Sequence, residues 1–218
     1  MSCRTTNDND GGSGPGAGTD YRASVWTAGF ALNSIQLKSD VGVHPGYPWP
    51  ETTTGAKLAF MARTSMLGAW QLCGVEPNVT AYREHLALYK TKQRPILRGG
   101  AMFHVLPKPD GVRPCSPPKD FRHHCLTLRC CPKVNWDGFQ FHHRGLKRGS
   151  LLVFKPSPNV SSSQVIRLKG LDAATSYRLR FQDRTAQSAT KSGAELMGAG
   201  LNISGMEGAF ASEIVWVD

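Results

Sequence analysis

Tyr177-Arg178-Leu179-Arg180-Phe181 alternates apolar and basic residues without a break. Side chains along a strand point to opposite faces in turn, so this stretch reads as a β-strand with one buried face and one wetted face. Outward from it, similar runs recur. Gln164 to Leu168 alternates around Val165 and Ile166, and Gly138 to His142 alternates too. Ala101 to Leu106, Leu151 to Phe154 and Ile214 to Val217 are short apolar runs. Turns rich in glycine and proline separate them. Several short strands joined in this way predict an antiparallel β-sandwich.

Upstream, the period changes from two to about 3.6 residues. After Thr52-Thr53-Thr54, the residues Leu58, Met61, Ala62, Ser65, Met66, Ala69, Trp70 and Leu72 recur at helical spacing, and Gly74 is placed to end the helix. Asn78 is a good N-cap for a second helix striped by Val79, Tyr82, Leu86 and Tyr89, with Lys90 and Lys92 suited to its C-terminal dipole. The Trp and Tyr residues of these stripes read as core. His44-Pro45-Gly46-Tyr47-Pro48-Trp49-Pro50 cannot be helix interior and predicts a rigid aromatic loop. The strands are expected to begin past Pro95. The predicted fold class is α+β: a disordered segment over 1–20, a mainly helical part over 21–98 and an antiparallel sandwich over 99–218.

Length and charge narrow the function classes. The chain has 218 residues, and a (β/α)8 barrel alone takes about 250, so a whole barrel with an accessory domain is excluded. No apolar stretch approaches the roughly 20 residues of a membrane span, and no membrane partner is expected. Met1 to Thr19 is polar, without the apolar region of a secretory signal, so the default expectation is cytoplasmic. Asn78-Val-Thr80, Asn159-Val-Ser161 and Asn202-Ile-Ser204 match the glycosylation sequon, which matters only in a secreted chain.

The net charge is +10, and much of the excess lies in Arg113, Lys119, Arg122, Arg129, Lys133, Arg144, Lys147 and Arg148. Charge alone favours nucleic acid; no nucleic-acid motif accompanies it, so nucleic acid is not an expected partner. The same region holds Cys115, His123, His124, Cys125, Cys130 and Cys131. Three readings stay open for it: an insertion without selected chemistry, disulfides, or zinc. Cys115 and Cys125 are too far apart for one zinc knuckle, and the adjacent Cys130-Cys131 rarely both face one metal. No metal or cofactor is therefore expected.

Five motifs carry a family resemblance. Val165-Ile166-Arg167-Leu168-Lys169-Gly170-Leu171-Asp172 with Tyr177-Arg178-Leu179 resembles a strand–turn–strand of the C-terminal domain of glycoside hydrolase family 36. Ser192-Gly193-Ala194-Glu195-Leu196-Met197, followed by Gly200-Leu201 and Ile203, resembles that domain's next motif. Ala211-Ser212-Glu213-Ile214-Val215-Trp216-Val217 resembles its closing strand. Upstream, Ala62-Arg63-Thr64-Ser65-Met66-Leu67-Gly68, and Tyr89-Lys90 through Arg94-Pro95-Ile96, are similar to the last barrel helices of α-galactosidase-like enzymes. The likeness covers most of 55–112 and 135–218. It implies the end of a catalytic barrel followed by the sandwich, from an enzyme acting on α-linked galactosides.

The resemblance also says where chemistry belongs. A retaining glycosidase uses two carboxylates about 5 Å apart. Leu37-Lys38-Ser39-Asp40 resembles the family's Ser-Asp motif, which implies Asp40 as a remnant of the general acid/base; read as a residue by itself, Asp40 is a solvated loop aspartate. The family's nucleophile motif, Lys-Trp-Asp, has no counterpart at the right spacing. The Trp-Asp pair of Asn135-Trp136-Asp137-Gly138 lies in the β module, and Asp137 reads as a turn residue. Glu195 reads as a polar turn residue of the accessory domain, and Gly170-Leu171-Asp172 as a turn between strands. The expected function is thus a C-terminal glycosidase fragment, inactive alone. The alternative is a non-catalytic carbohydrate-binding module with Trp26, Trp49 and Trp136 as stacking candidates. Helices that would cover a barrel have apolar stripes to satisfy, so association through them is expected.

Removing the basic segment joins two flanks that match the family, Pro109 to Val112 and Asn135 to Gly138. Deletion of Arg113 to Val134 is expected to leave soluble yield unchanged or improved. Loss of folding on deletion, or stoichiometric zinc in the intact protein, would make the segment a structural site.

Overall fold

The computed structural model describes residues 19–36, 38–40, 55–71, 79–108, 136–156 and 158–218. The expected disorder over 1–18, the Pro-rich loop with Trp49 and the cysteine-rich segment lie outside these. Thr19 and Asp20, expected disordered, open the first helix, α1 (Thr19–Ala28). The short strand β1 (Lys38–Asp40) follows, then α2 (Ala56–Ser65) and β2 (Ala69–Gln71). Next comes α3 (Val79–Leu88), which passes through a π-helical turn, Tyr89–Gln93, into α4 (Arg94–Gly99).

Two expectations are corrected here. The first helix stops at Ser65 instead of running to Leu72. Thr64 and Ser65 turn their hydroxyls back onto the carbonyls of Phe60 and Met61, and Ala69–Gln71 pairs as a strand; such back-bonding weakens a helix from within. The second helix does not end in the turn of Lys90 and Lys92 but continues through the π turn to Gly99. Pro95 is the second residue of α4, directly after the π turn.

The β module forms one main sheet. Its strands are β3 (Ala101–His104), β4 (Asp137–His143), β5 (Arg148–Lys155), β7 (Ser176–Phe181), β8 (Ala189–Ser192) and β10 (Ala211–Val217), in the antiparallel order β3-β4-β5-β10-β7-β8. A second sheet pairs β6 (Gln164–Ile166) with β9 (Leu201–Ile203), and α5 (Gly193–Gly198) stands between β8 and β9. The small sheet and α5 close one face over Leu151, Val153, Leu179, Phe181, Val215 and Val217. The helices close the other face over Phe139, Phe141, Leu152, Phe154, Ile214 and Trp216.

This layering accounts for the sequence patterns. β5 and β10 are covered on both sides, so they read as continuous apolar runs; β7 is covered on one side, so it alternates. It also places apolar residues of the helical stripes. Leu58, Phe60, Met61, Ile96 and Leu97 are buried, and the exposed large apolar side chains among the described residues are Phe30, Leu32, Leu146 and Val165.

Two buried arginines tie the layers together. Arg22 of α1 and Asp137 of β4 are both buried, with Nε donating to Oδ2 at 2.6 Å. Arg22 also donates to Thr64 Oγ1 at 3.2 Å, and its guanidinium lies 4.7 Å from the Phe60 ring and 5.1 Å from the Phe154 ring. Asp137 is therefore a buried ion-pair partner in a strand, and not the turn residue expected from its sequence. Arg63 of α2 donates to the Ser212 carbonyl at 2.7 Å and to Asp183 at 2.8 Å.

Breaking one side of such a pair strands a charge in the core. Asp137→Ala is expected to cost about 3–5 kcal/mol in urea unfolding followed by circular dichroism. The double variant Arg22→Met with Asp137→Leu should recover much of that loss. Equal losses in the single and double variants would mean that the pair contributes through packing alone.

Candidate functional site

β1 and β2 run parallel, with Lys38 opposite Ala69, Ser39 opposite Trp70 and Asp40 opposite Gln71, and α2 lies between them in the chain. A strand, a helix and a parallel strand form a crossover unit, and ligands of such units collect at the carboxyl ends of the strands. Asp40 is the last residue of β1. It thus ends a strand, and is not the loop residue that its composition suggests. Behind β2, Tyr89 Oη donates to the Gly68 carbonyl at 2.9 Å and accepts from the Trp70 amide at 3.1 Å. Trp70 meets Tyr82 and Tyr89 edge-on, so the aromatic stripe is core, as read.

The other candidates lie elsewhere. Trp26 is half-buried. Its Nε1 donates to the Leu106 carbonyl at 3.2 Å, and its ring meets Phe30 and His104 edge-on. Phe30, 70% exposed, stacks on His104 with centroids 4.1 Å apart. Trp26 thus joins α1 to the end of β3, and Phe30 is the ring that meets solvent. Trp136 is buried, with Nε1 donating to the Ser161 carbonyl at 2.9 Å, so it offers no stacking face. Trp49 and the cysteines of the basic segment lie outside the described residues; among the described residues no cluster of three metal-ligating side chains forms.

Glu195 has a structural task that the turn reading missed. It is the N3 residue of α5, accepting from the Ser192 amide at 2.8 Å, while Ser192 Oγ accepts from the Glu195 amide at 3.2 Å. These reciprocal bonds form a capping box. The Ser192 amide first, and then the Ser192 hydroxyl donating to Glu195 Oε2 at 2.8 Å, hold the Glu195 carboxyl below its ordinary pKa. Gly170 does make the expected turn, at φ 65°, with Asp172 Oδ1 accepting from Ala174 N at 3.0 Å. Gly193 is the first residue of α5, and a Cβ there would come within 2.0 Å of the Asp172 carbonyl oxygen.

Other polar residues escaped the sequence reading. Glu213, fully buried, accepts from the amides of Gln182, Asp183, Arg184 and Ile214 within 3.1 Å, and from Arg184 Nη1 at 3.1 Å. Consecutive amides converging on a carboxylate form a nest. A signal for it was present: a charged residue inside an otherwise apolar closing strand.

His142 and His85 are both lowered from the ordinary histidine pKa. For His142 burial lowers it, a bond with the Gly170 backbone opposes this, and the Arg144 and His143 charges lower it further. For His85 burial leads and Arg63 adds to it.

The fold and these contacts define a class: an antiparallel, sheet-rich module with a helical layer packed on it. Residues 136–217 match the family described as the glycosyl hydrolase family 36 C-terminal domain, and the chain resembles the C-terminal part of an α-galactosidase-like glycoside hydrolase of that family. Among solved structures, the galactosidase domain of an α-galactosidase–sucrose kinase superposes with a TM-score of 0.63 at 13% identity, over 92% of this chain and 24% of that one. The α-galactosidase AgaB of Geobacillus stearothermophilus superposes at 0.63 and 16% identity, over 98% and 25%. The α-galactosidase of Lactobacillus brevis gives 0.61 and 16%, over 92% and 24%. The chain thus spans about a quarter of the length of the structures that it resembles. None of the curated proteins matches it.

The two lowered histidines set a pH dependence. An unfolded chain takes up a histidine proton near pH 6.5, and the folded chain resists it. The unfolded state then binds more protons, so stability is complete above that value and falls as pH drops through it. The urea midpoint is expected to fall between about pH 7.5 and about pH 5.5, and to fall less in His142→Gln. An identical drop in the variant would remove His142 from the account.

Proposed function

We propose that this chain is the C-terminal part of an α-galactosidase-like glycoside hydrolase, with residues 21–98 corresponding to the end of the catalytic barrel and 99–218 to the accessory sheet domain. The observation that carries this reading is the parallel β1–α2–β2 unit lying next to the sheet module. An antiparallel accessory domain has no need of a parallel crossover, whereas a (β/α)8 barrel is made of them. The length of chain that overlays the solved α-galactosidases supports the same reading. The substrate class, α-linked galactosides, follows from what those proteins are named for.

In this reading Asp40 is the general acid/base, at the carboxyl end of a barrel strand. Its task is to give a proton to the leaving oxygen and later to take one from water. The nucleophilic carboxylate would stand on an earlier barrel strand, in a motif that these 218 residues do not carry. Acid/base assistance contributes about 10²–10⁴-fold, and glycosyl transfer to a carboxylate needs the partner as well. The chain by itself is therefore inactive.

The purified chain is expected to release no aryl alcohol from aryl α-galactosides above background, with Asp40→Asn indistinguishable from the unsubstituted protein. Turnover that disappears in Asp40→Asn would refute inactivity and require a second carboxylate within the chain.

A further inference from the structure

The alternation in β7 sends Tyr177, Leu179 and Phe181 under the small sheet and places Arg178 and Arg180 on the opposite face. Elsewhere the helices cover that face. Their cover ends at Trp216 of β10, where Lys92 of the π turn sets its Nζ 5.1 Å from the ring. Arg180 is the register partner of Trp216, and Thr190 of β8 is the partner of Arg178. Past Trp216, then, the sheet face changes from apolar to basic and hydroxylic. Lys92 on one side and the turn beginning at Thr185 on the other make it a groove of about 490 Å³, a size that suits small ligands.

The charges in this groove are unequal. Arg180 is paired with Asp218, and Arg148 approaches the same carboxylate at 3.9 Å. Lys92 and Arg178 have no carboxylate partner among the described residues. Nearby, Thr185, Ser188 and Thr190 add hydroxyls, and the Gln182 amide is held by Trp216 Nε1 at 2.9 Å. Charge-assisted bonds to an anion are the strongest use for such cations, and arginine's planar fork matches carboxylate or phosphate. The hydroxyls suit a partner that is itself rich in hydroxyls.

We propose that the groove between Lys92 and the β7–β8 face binds a small polyhydroxylated anion, a sugar bearing a phosphate or a carboxylate. Lys92 and Arg178 hold the anionic group, and Thr190 with its neighbours meets the hydroxyls. This site is separate from Asp40 and does not rest on the glycosidase reading.

The test uses the full chain and four probes: galactose 6-phosphate, galacturonate, galactose and inorganic phosphate. Binding is followed by titration calorimetry and by amide shifts in nuclear magnetic resonance. At least one of the two sugar anions should bind about tenfold or more tighter than both galactose and phosphate, shifting the amides of Arg178 and Thr190; which of them binds tells phosphate from carboxylate. Arg178→Gln and Lys92→Gln should each weaken that binding about tenfold, and Arg144→Gln, on the β4–β5 turn, should leave it unchanged. Equal weakening by Arg144→Gln would mean diffuse attraction to a basic chain and would overturn the site. So would phosphate binding as tightly as the sugar anions, or no binding by any probe.

Discussion

The Arg22 guanidinium, set against the Phe60 and Phe154 rings with Asp137 at its Nε, is the contact on which the assembly of helices and sheet turns. A charge removed from water is tolerated only when a partner and hydrogen bonds replace the lost hydration. Those replacements come from three separate elements: Asp137 from β4, Thr64 from α2 and the Phe154 ring from β5. The pair therefore demands that α1, α2 and the sheet be in register at once. Apolar contacts between the same elements are more forgiving, since they lack direction.

Arg63 repeats the device one element further on. It reaches from α2 to the Ser212 carbonyl and to Asp183, next to the nest that encloses Glu213. The bend after β7 is thereby fixed from two sides, by a carboxylate beneath and an arginine from the helical layer. Ion pairs of this kind add less to net stability than their number suggests, because desolvation offsets the attraction. What they impose is geometry: the helices sit over β4, β5 and β10 and stop at Trp216. The exposed basic face of β7 is the consequence of that boundary.

The strands were legible because a strand's period is short and local. Tyr177 to Phe181 needs only five residues to declare itself, and the apolar runs of β5 and β10 announce burial on both faces. Residues 193–198 were less legible as a helix, since six residues give too short a period, though Ser192 and Glu195 at capping-box spacing offered a signal. Trp70 shows the limit of periodicity. It fits a helical stripe by spacing, yet it lies in β2, because parallel pairing with β1 is a long-range contact that no local pattern encodes.

By itself, then, the sequence determined which stretches alternate, which are apolar, where chain reversals fall and which family the ordered motifs resemble. Those are properties of neighbours along the chain. Tertiary structure alone decided the roles of Arg22, Asp137 and Arg63 and the partners of Glu213, because a charged residue by itself looks the same in sequence whether it ends in water or in a core. Their partners stand 115, 149 and about 30 positions away along the chain, and only folding brings a buried charge to the group that makes its burial tolerable.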